Sequence, residues 1–132
     1  MTHWLNRYIG KPYRRGCQGP EAFDCWGFVQ WVLTHHYGHS RATLDNLEAL
    51  MRLSSSHWLP LDHPEGGAVV MMEMASCPHV GIWVDSDQGG IAHCMEEYGV
   101  LFTPLSRFPV IGCRLLSFYG SAKTEKQSHS TR

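Results

Sequence analysis

The stretch Ala22-Phe23-Asp24-Cys25-Trp26-Gly27-Phe28-Val29-Gln30-Trp31-Val32 constrains the fold more than any other part of the chain. Asp24 is a good helix N-cap, because a short carboxylate can accept from the first backbone N–H groups of a helix. Behind it, Phe28, Val29, Trp31, Val32 and Leu33 make an apolar helix from Cys25 to about Tyr37, closed by Gly38. A helix this apolar has to be covered by another layer. Strand patterns supply one at 68–74, 79–85, 90–95, 100–102 and 110–118. Two further helices are expected. One runs over Thr2–Ile9, with Trp4, Leu5, Tyr8 and Ile9 on one face, and is ended by Gly10-Lys11-Pro12. The other is an amphipathic helix over Thr43–Leu53. Helices followed by strands read as an α+β fold, with N-terminal helices packed on a central antiparallel sheet of about five strands.

At 132 residues and 43% hydrophobic, the chain suits one domain over 1–120, with a polar tail at 121–132. A net charge of −1 shows no electrostatic footprint for nucleic acid. No apolar run is long enough to span a bilayer, and Met1–Arg7 lacks the layout of a signal peptide. The five cysteines are odd in number and lack short paired spacings, which argues for free thiols over a disulfide framework.

Local context singles out Cys25. A thiol in the first turn of a helix sees the positive end of the helix dipole and unpaired backbone N–H groups, which favour thiolate and can hold an oxyanion. Two histidines lie on strands farther along. In the segment 79–85 alternation puts His79, Gly81 and Trp83 on one face and Val80, Ile82 and Val84 on the core face. His79 should therefore face a less apolar side, with Gly81 leaving space beside its ring. Ser86–Gly90 reads as a hairpin turn. If the hairpin pairs positions whose numbers have an even sum, as Asp85 with Gly89 would, His79 and His93 share a face as diagonal neighbours. An odd register would separate them.

A zinc site built from Cys77, His79, His93 and Cys94 is disfavoured, since adjacent His93 and Cys94 point to opposite faces of a strand. No metal or other cofactor is expected. His35, His36 and His39 sit near a helix C-terminus and are expected to face solvent.

Together these residues resemble the NlpC/P60 family of papain-like cell-wall peptidases. The matching positions are Pro12-Tyr13, Gly16, Phe23-Asp24-Cys25, Gly27, Gly67, Val69, His79-Val80-Gly81-Ile82 and His93, in the family's order, across about residues 5–118. The resemblance implies Cys25 as nucleophile, His79 as general base and His93 as the residue that orients it. It also implies that Tyr13 donates to the oxyanion. Asp24 reads as N-cap or as a contact to a substrate amine, and Arg14 as a partner for substrate carboxylates or a solvated loop charge. The chain departs from the pattern at Trp26, where the family has serine, at Cys17 for glycine and at Ala68 for aspartate. Trp26 is expected to reshape the pocket beside the thiol.

The substrate implied is the stem peptide of peptidoglycan, cut through a thioester acyl-enzyme. A catalytic domain without a leader, carrying Asp-Cys-Trp-Gly, looks like the phage-tail branch of the family. The setting expected is a phage or prophage tail tip, with other tail-tip proteins as partners and action in the periplasm or cell wall. The alternatives are a non-catalytic tail-tip or assembly domain of the same fold, and a toxin or cytoplasmic amidase.

Overall fold

Helix α1 spans Cys25–Tyr37 and starts where the sequence predicts. Asp24 is its N-cap, accepting from the Gly27 N–H, and Gly38 closes it in the left-handed conformation at φ 71. In the computed structural model, residues 4–39, 58–74, 77–85 and 89–121 are described. Phe28, Val29, Val32 and Leu33 of α1 are fully buried. They pack on Val80, Ile82, Val84, Ala92, Cys94 and Val100 of the sheet. Each buried Val, Leu, Ile or Phe among them contributes about 1.5–3 kcal/mol through burial, which makes this interface the main core.

The sheet has six strands: β1 (Trp58–Leu61), β2 (Val69–Met74), β3 (Cys77–Val84), β4 (Gly90–Met95), β5 (Gly99–Pro104) and β6 (Cys113–Ser121). Their spatial order is β1-β6-β2-β3-β4-β5, and every neighbouring pair is antiparallel. This is the α+β architecture expected, with one strand more. The extra strand is β1, which lies ahead of the first expected strand segment at 68–74. It is short, contains Pro60, and is held by pairing with the distant β6. Strand β6 begins at Cys113 rather than near Val110, because a short 3-10 helix over Leu105–Arg107 and a run of turns come first.

At the N-terminus the expected helix is a single 3-10 turn, Trp4–Arg7. It is anchored to α1 by polar contacts. Tyr8 Oη lies 2.8 Å from His36 Nε2 and accepts from Trp31 Nε1 at 3.0 Å, while Trp4 stacks on His36. His36 is therefore structural and His39 is buried, so of the three histidines only His35 is exposed. The helix expected at Thr43–Leu53 and the tail beyond residue 121 lie outside the described residues. Among the described residues, no helix is long and apolar enough to cross a membrane.

The face of β3 away from α1 is not open. Ala68, Val70, Met72, Trp83, Ile91, Phe108 and Cys113 form a second apolar cluster there. Phe108, carried by the turns between β5 and β6, covers it. His79 thus lies on a buried side, contrary to the less apolar environment that alternation suggested.

Candidate active site

Strands β3 and β4 pair only over Ile82–Val84 and Gly90–Ala92. Ahead of Ile82, β3 pairs with β2 alone, and past Ala92, β4 pairs with β5 alone. The two strands part at one end, and the N-terminus of α1 meets the sheet there. A cleft of about 420 Å³ opens at this point, lined by Tyr13, Cys25, Met74, Cys77, Pro78, His79, Cys94, Met95, Glu96 and Glu97.

Asp24 and the loop before it set the position of Cys25. Both carboxylate oxygens of Asp24 are engaged. Oδ1 accepts from Gly27 N at 2.6 Å and Oδ2 from Gly16 N at 3.0 Å. The N-cap reading of Asp24 is the one its contacts support. Gly27 has no room for a side chain, since an added Cβ would collide with the Cys17 carbonyl. Backbone N–H groups of Trp26, Val80 and Cys25 itself point at the Cys25 sulfur and favour its ionised form. Burial and the Asp24 charge outweigh them, so the thiol pKa lies above its ordinary value. The helix start favours thiolate as expected, but burial and the capping carboxylate override it, and the thiol form is the one favoured.

The register of β3 and β4 is the even one. Ile82 faces Ala92 and Trp83 faces Ile91, which makes His79 and His93 diagonal neighbours on one face. Their rings are hydrogen-bonded, His79 Nε2 to His93 Nδ1 at 2.8 Å. This leaves Nδ1 as the His79 nitrogen that His93 does not engage. His93 is fully buried, and its Nε2 lies 2.9 Å from Thr103 Oγ1. Burial pushes the His79 pKa down to about 4 and, with the added charge of His79, that of His93 down to about 3. Both rings are neutral near neutral pH. Gly81 serves β4 rather than the His79 ring. A Cβ there would meet Ile91 Cγ2 at 2.6 Å, Ala92 O at 2.9 Å and His93 Cβ at 3.1 Å.

The remaining predicted residues divide. Tyr13 lines the cleft, and burial, then the Cys25 and Asp24 charges, raise its pKa, so its hydroxyl keeps its proton and can donate. Trp26 does not line the cleft. It packs against the core on the α1 side, and its Nε1 is buried without a hydrogen-bond partner among the described residues. Arg14 is exposed and is not among the lining residues; its backbone N–H donates to Phe23 O. His93 and Cys94 do lie on opposite faces, and the Cys94 thiol donates to Phe23 O at 3.3 Å. Among the described residues, no three His, Cys, Asp or Glu side chains are grouped to hold a metal ion. Thr103, Glu96 and Glu97 were not foreseen. The one signal for Thr103 was alternation on β5, which puts it on the His93 face once Ile91 is paired with Thr103.

A helix-borne cysteine set against histidines of an antiparallel sheet is the layout of the papain-like fold. The sequence matches the NlpC/P60 family model over residues 10–103, most of the chain, and the chain belongs to that family. The fold is shared with two proteins of Trichomonas vaginalis, NlpC2 (TM-score 0.63, 19% identity, 88% of this chain and 45% of that one) and NlpC1 (0.61, 18%, 89% and 42%). It is shared also with the NlpC/p60 domain of the peptidoglycan hydrolase SagA (0.59, 18%, 88% and 92%). The chain spans less than half the length of the two Trichomonas proteins. No curated protein matches the sequence.

Proposed function

We propose that this chain is a cysteine peptidase that cleaves the stem peptide of peptidoglycan. The observation that carries the reading is the single cleft holding Cys25 and His79, with His79 tied from behind to the fully buried His93. The resting thiol and neutral imidazole suit general-base activation at the moment of attack. As the sulfur of Cys25 adds to the peptide carbonyl carbon, its proton passes to His79 Nδ1. The N–H groups that face the sulfur, together with the Tyr13 hydroxyl, stabilise the oxyanion. The proton then goes to the leaving amine and a thioester remains on Cys25. Water, activated by His79, adds to the thioester and releases the acid. His93 holds the His79 ring in place throughout, as the third member of a Cys-His-His triad.

The setting proposed is the tail tip of a phage or prophage, among other tail-tip proteins, acting on the periplasmic cell wall. Its support is the Asp24-Cys25-Trp26-Gly27 variant of the motif. The test of the activity is digestion of purified peptidoglycan by wild type and Cys25→Ala, with products read by mass spectrometry. New stem-peptide fragments from wild type alone are expected. Equal product profiles from the two proteins would refute the reading.

A further inference from the structure

We infer that Thr103 is a fourth, positioning residue of this site: its hydroxyl accepts the Nε2 proton of His93 in the one arrangement that leaves a nitrogen of His79 free for Cys25, and holds that arrangement when His79 takes up the thiol proton. The inference rests on the reading of His79 as the base and extends it one strand deeper.

Three side chains form a line. His79 Nε2 meets His93 Nδ1 at 2.8 Å, and His93 Nε2 meets Thr103 Oγ1 at 2.9 Å. His79 is 8%, His93 0% and Thr103 4% exposed, so solvent has little access to rearrange the protons. The Phe108 ring lies beside that of His93, with centroids 6.0 Å apart. With both rings neutral, only two proton arrangements satisfy both hydrogen bonds. In the first, His79 Nε2–H donates to His93 Nδ1, and His93 Nε2–H donates to Thr103 Oγ1. His79 Nδ1 then carries a lone pair and can take the proton of Cys25. In the second, every bond is reversed: Thr103 donates to His93, His93 donates to His79, and His79 Nδ1 already carries a proton. A base is available only in the first.

Proton transfer makes the choice stricter. Once His79 Nδ1 has taken the thiol proton, both its nitrogens carry protons, and Nε2–H must donate to His93 Nδ1. His93 then keeps its own proton on Nε2, which requires a buried acceptor. Thr103 Oγ1 is the partner found there. A threonine hydroxyl can accept without bringing a charge into the apolar cluster. The β4–β5 register explains its placement. Ile91 faces Thr103 and His93 faces Leu101, so Thr103 is the diagonal neighbour of His93 on the same face.

The test uses the whole chain, with Thr103→Val to remove the hydroxyl at constant shape and Thr103→Ser to keep it. Ring-nitrogen NMR of histidine-labelled wild type should show His93 protonated at Nε2. On a peptidoglycan fragment that wild type cleaves, Thr103→Val should lower kcat about ten-fold, the rate equivalent of one buried hydrogen bond, with KM little changed. Thr103→Ser should recover kcat. Unchanged kcat in Thr103→Val, or no recovery in Thr103→Ser, would overturn the inference. Wild-type His93 protonated at Nδ1 would overturn it without any variant. A wild type that cleaves no peptidoglycan fails the activity reading instead, and the NMR result then decides the role of Thr103 by itself.

Discussion

Asp24 is where fold and chemistry pull on the same side chain, and two substitutions separate them. Asp24→Ala removes the N-cap bond to Gly27 N and the second bond to Gly16 N. Losing a cap costs about 1 kcal/mol, and losing a further solvent-accessible hydrogen bond about 0.5–1 kcal/mol. The expected loss is about 2 kcal/mol. For a domain of this size that lowers the thermal midpoint by about 6 °C, read by differential scanning calorimetry. Asp24→Asn keeps an oxygen for Gly27 and is as good an N-cap, so it should lose less than about 1 kcal/mol. It also removes the negative charge that, after burial, raises the Cys25 pKa. The thiol pKa should fall and alkylation of Cys25 by iodoacetamide near neutral pH should speed up, because the thiolate is the nucleophile. A thermal midpoint unmoved by Asp24→Ala would refute the capping argument. A folded Asp24→Asn protein with unchanged or slower alkylation would refute the electrostatic one.

Stability should fall with acid in a defined window. His79 and His93 titrate near 6.5 as free groups but at about 4 and about 3 in the fold, because burial disfavours their charged forms. The unfolded chain therefore takes up protons below about pH 6.5 that the native state refuses, and stability drops until about pH 3. Urea midpoints should be flat above neutrality and fall steeply below it, and replacing both histidines with glutamine should reduce that slope; equal slopes would contradict the assignment. Gly81→Ala should destabilise by about 1–3 kcal/mol, since the new methyl group meets Ile91, the Ala92 carbonyl and His93, measured by urea unfolding. A neutral result would mean that β4 can move aside.

What the sequence made legible was local or periodic. The cap at Asp24 and the extent of α1 follow from short-range rules of helix ends, and hairpin register limits His79 and His93 to one shared face or two opposite ones, of which the structure has the first. What escaped depended on distant partners. Strand β1 exists through pairing with β6, and Thr103 matters only once β5 is laid against β4. The environment of His79 was misread because alternation gives the face of a strand but not what covers it, and Phe108 arrives from the turns after β5. The net direction of the Cys25 pKa shift is not legible in sequence for a related reason. A helix start can be seen in sequence, whereas burial and the charge of a capping carboxylate act through three-dimensional proximity. Trp26 and Arg14 were assigned by nearness in sequence to the thiol and to Tyr13, and neither side chain lines the cleft.

The central claim is that His79 activates Cys25 within one cleft, and cysteine-by-cysteine alkylation rates measure this directly. Wild type and His79→Gln would be treated with iodoacetamide near neutral pH and the modified peptides quantified by mass spectrometry. Burial pushes the thiols of Cys94 and Cys113 up to about 12 and about 11, so both should react slowly in either protein. Cys25 should react faster than these two in wild type, and its own rate should fall in His79→Gln while theirs stay unchanged. A Cys25 rate that is the same in both proteins would contradict the account.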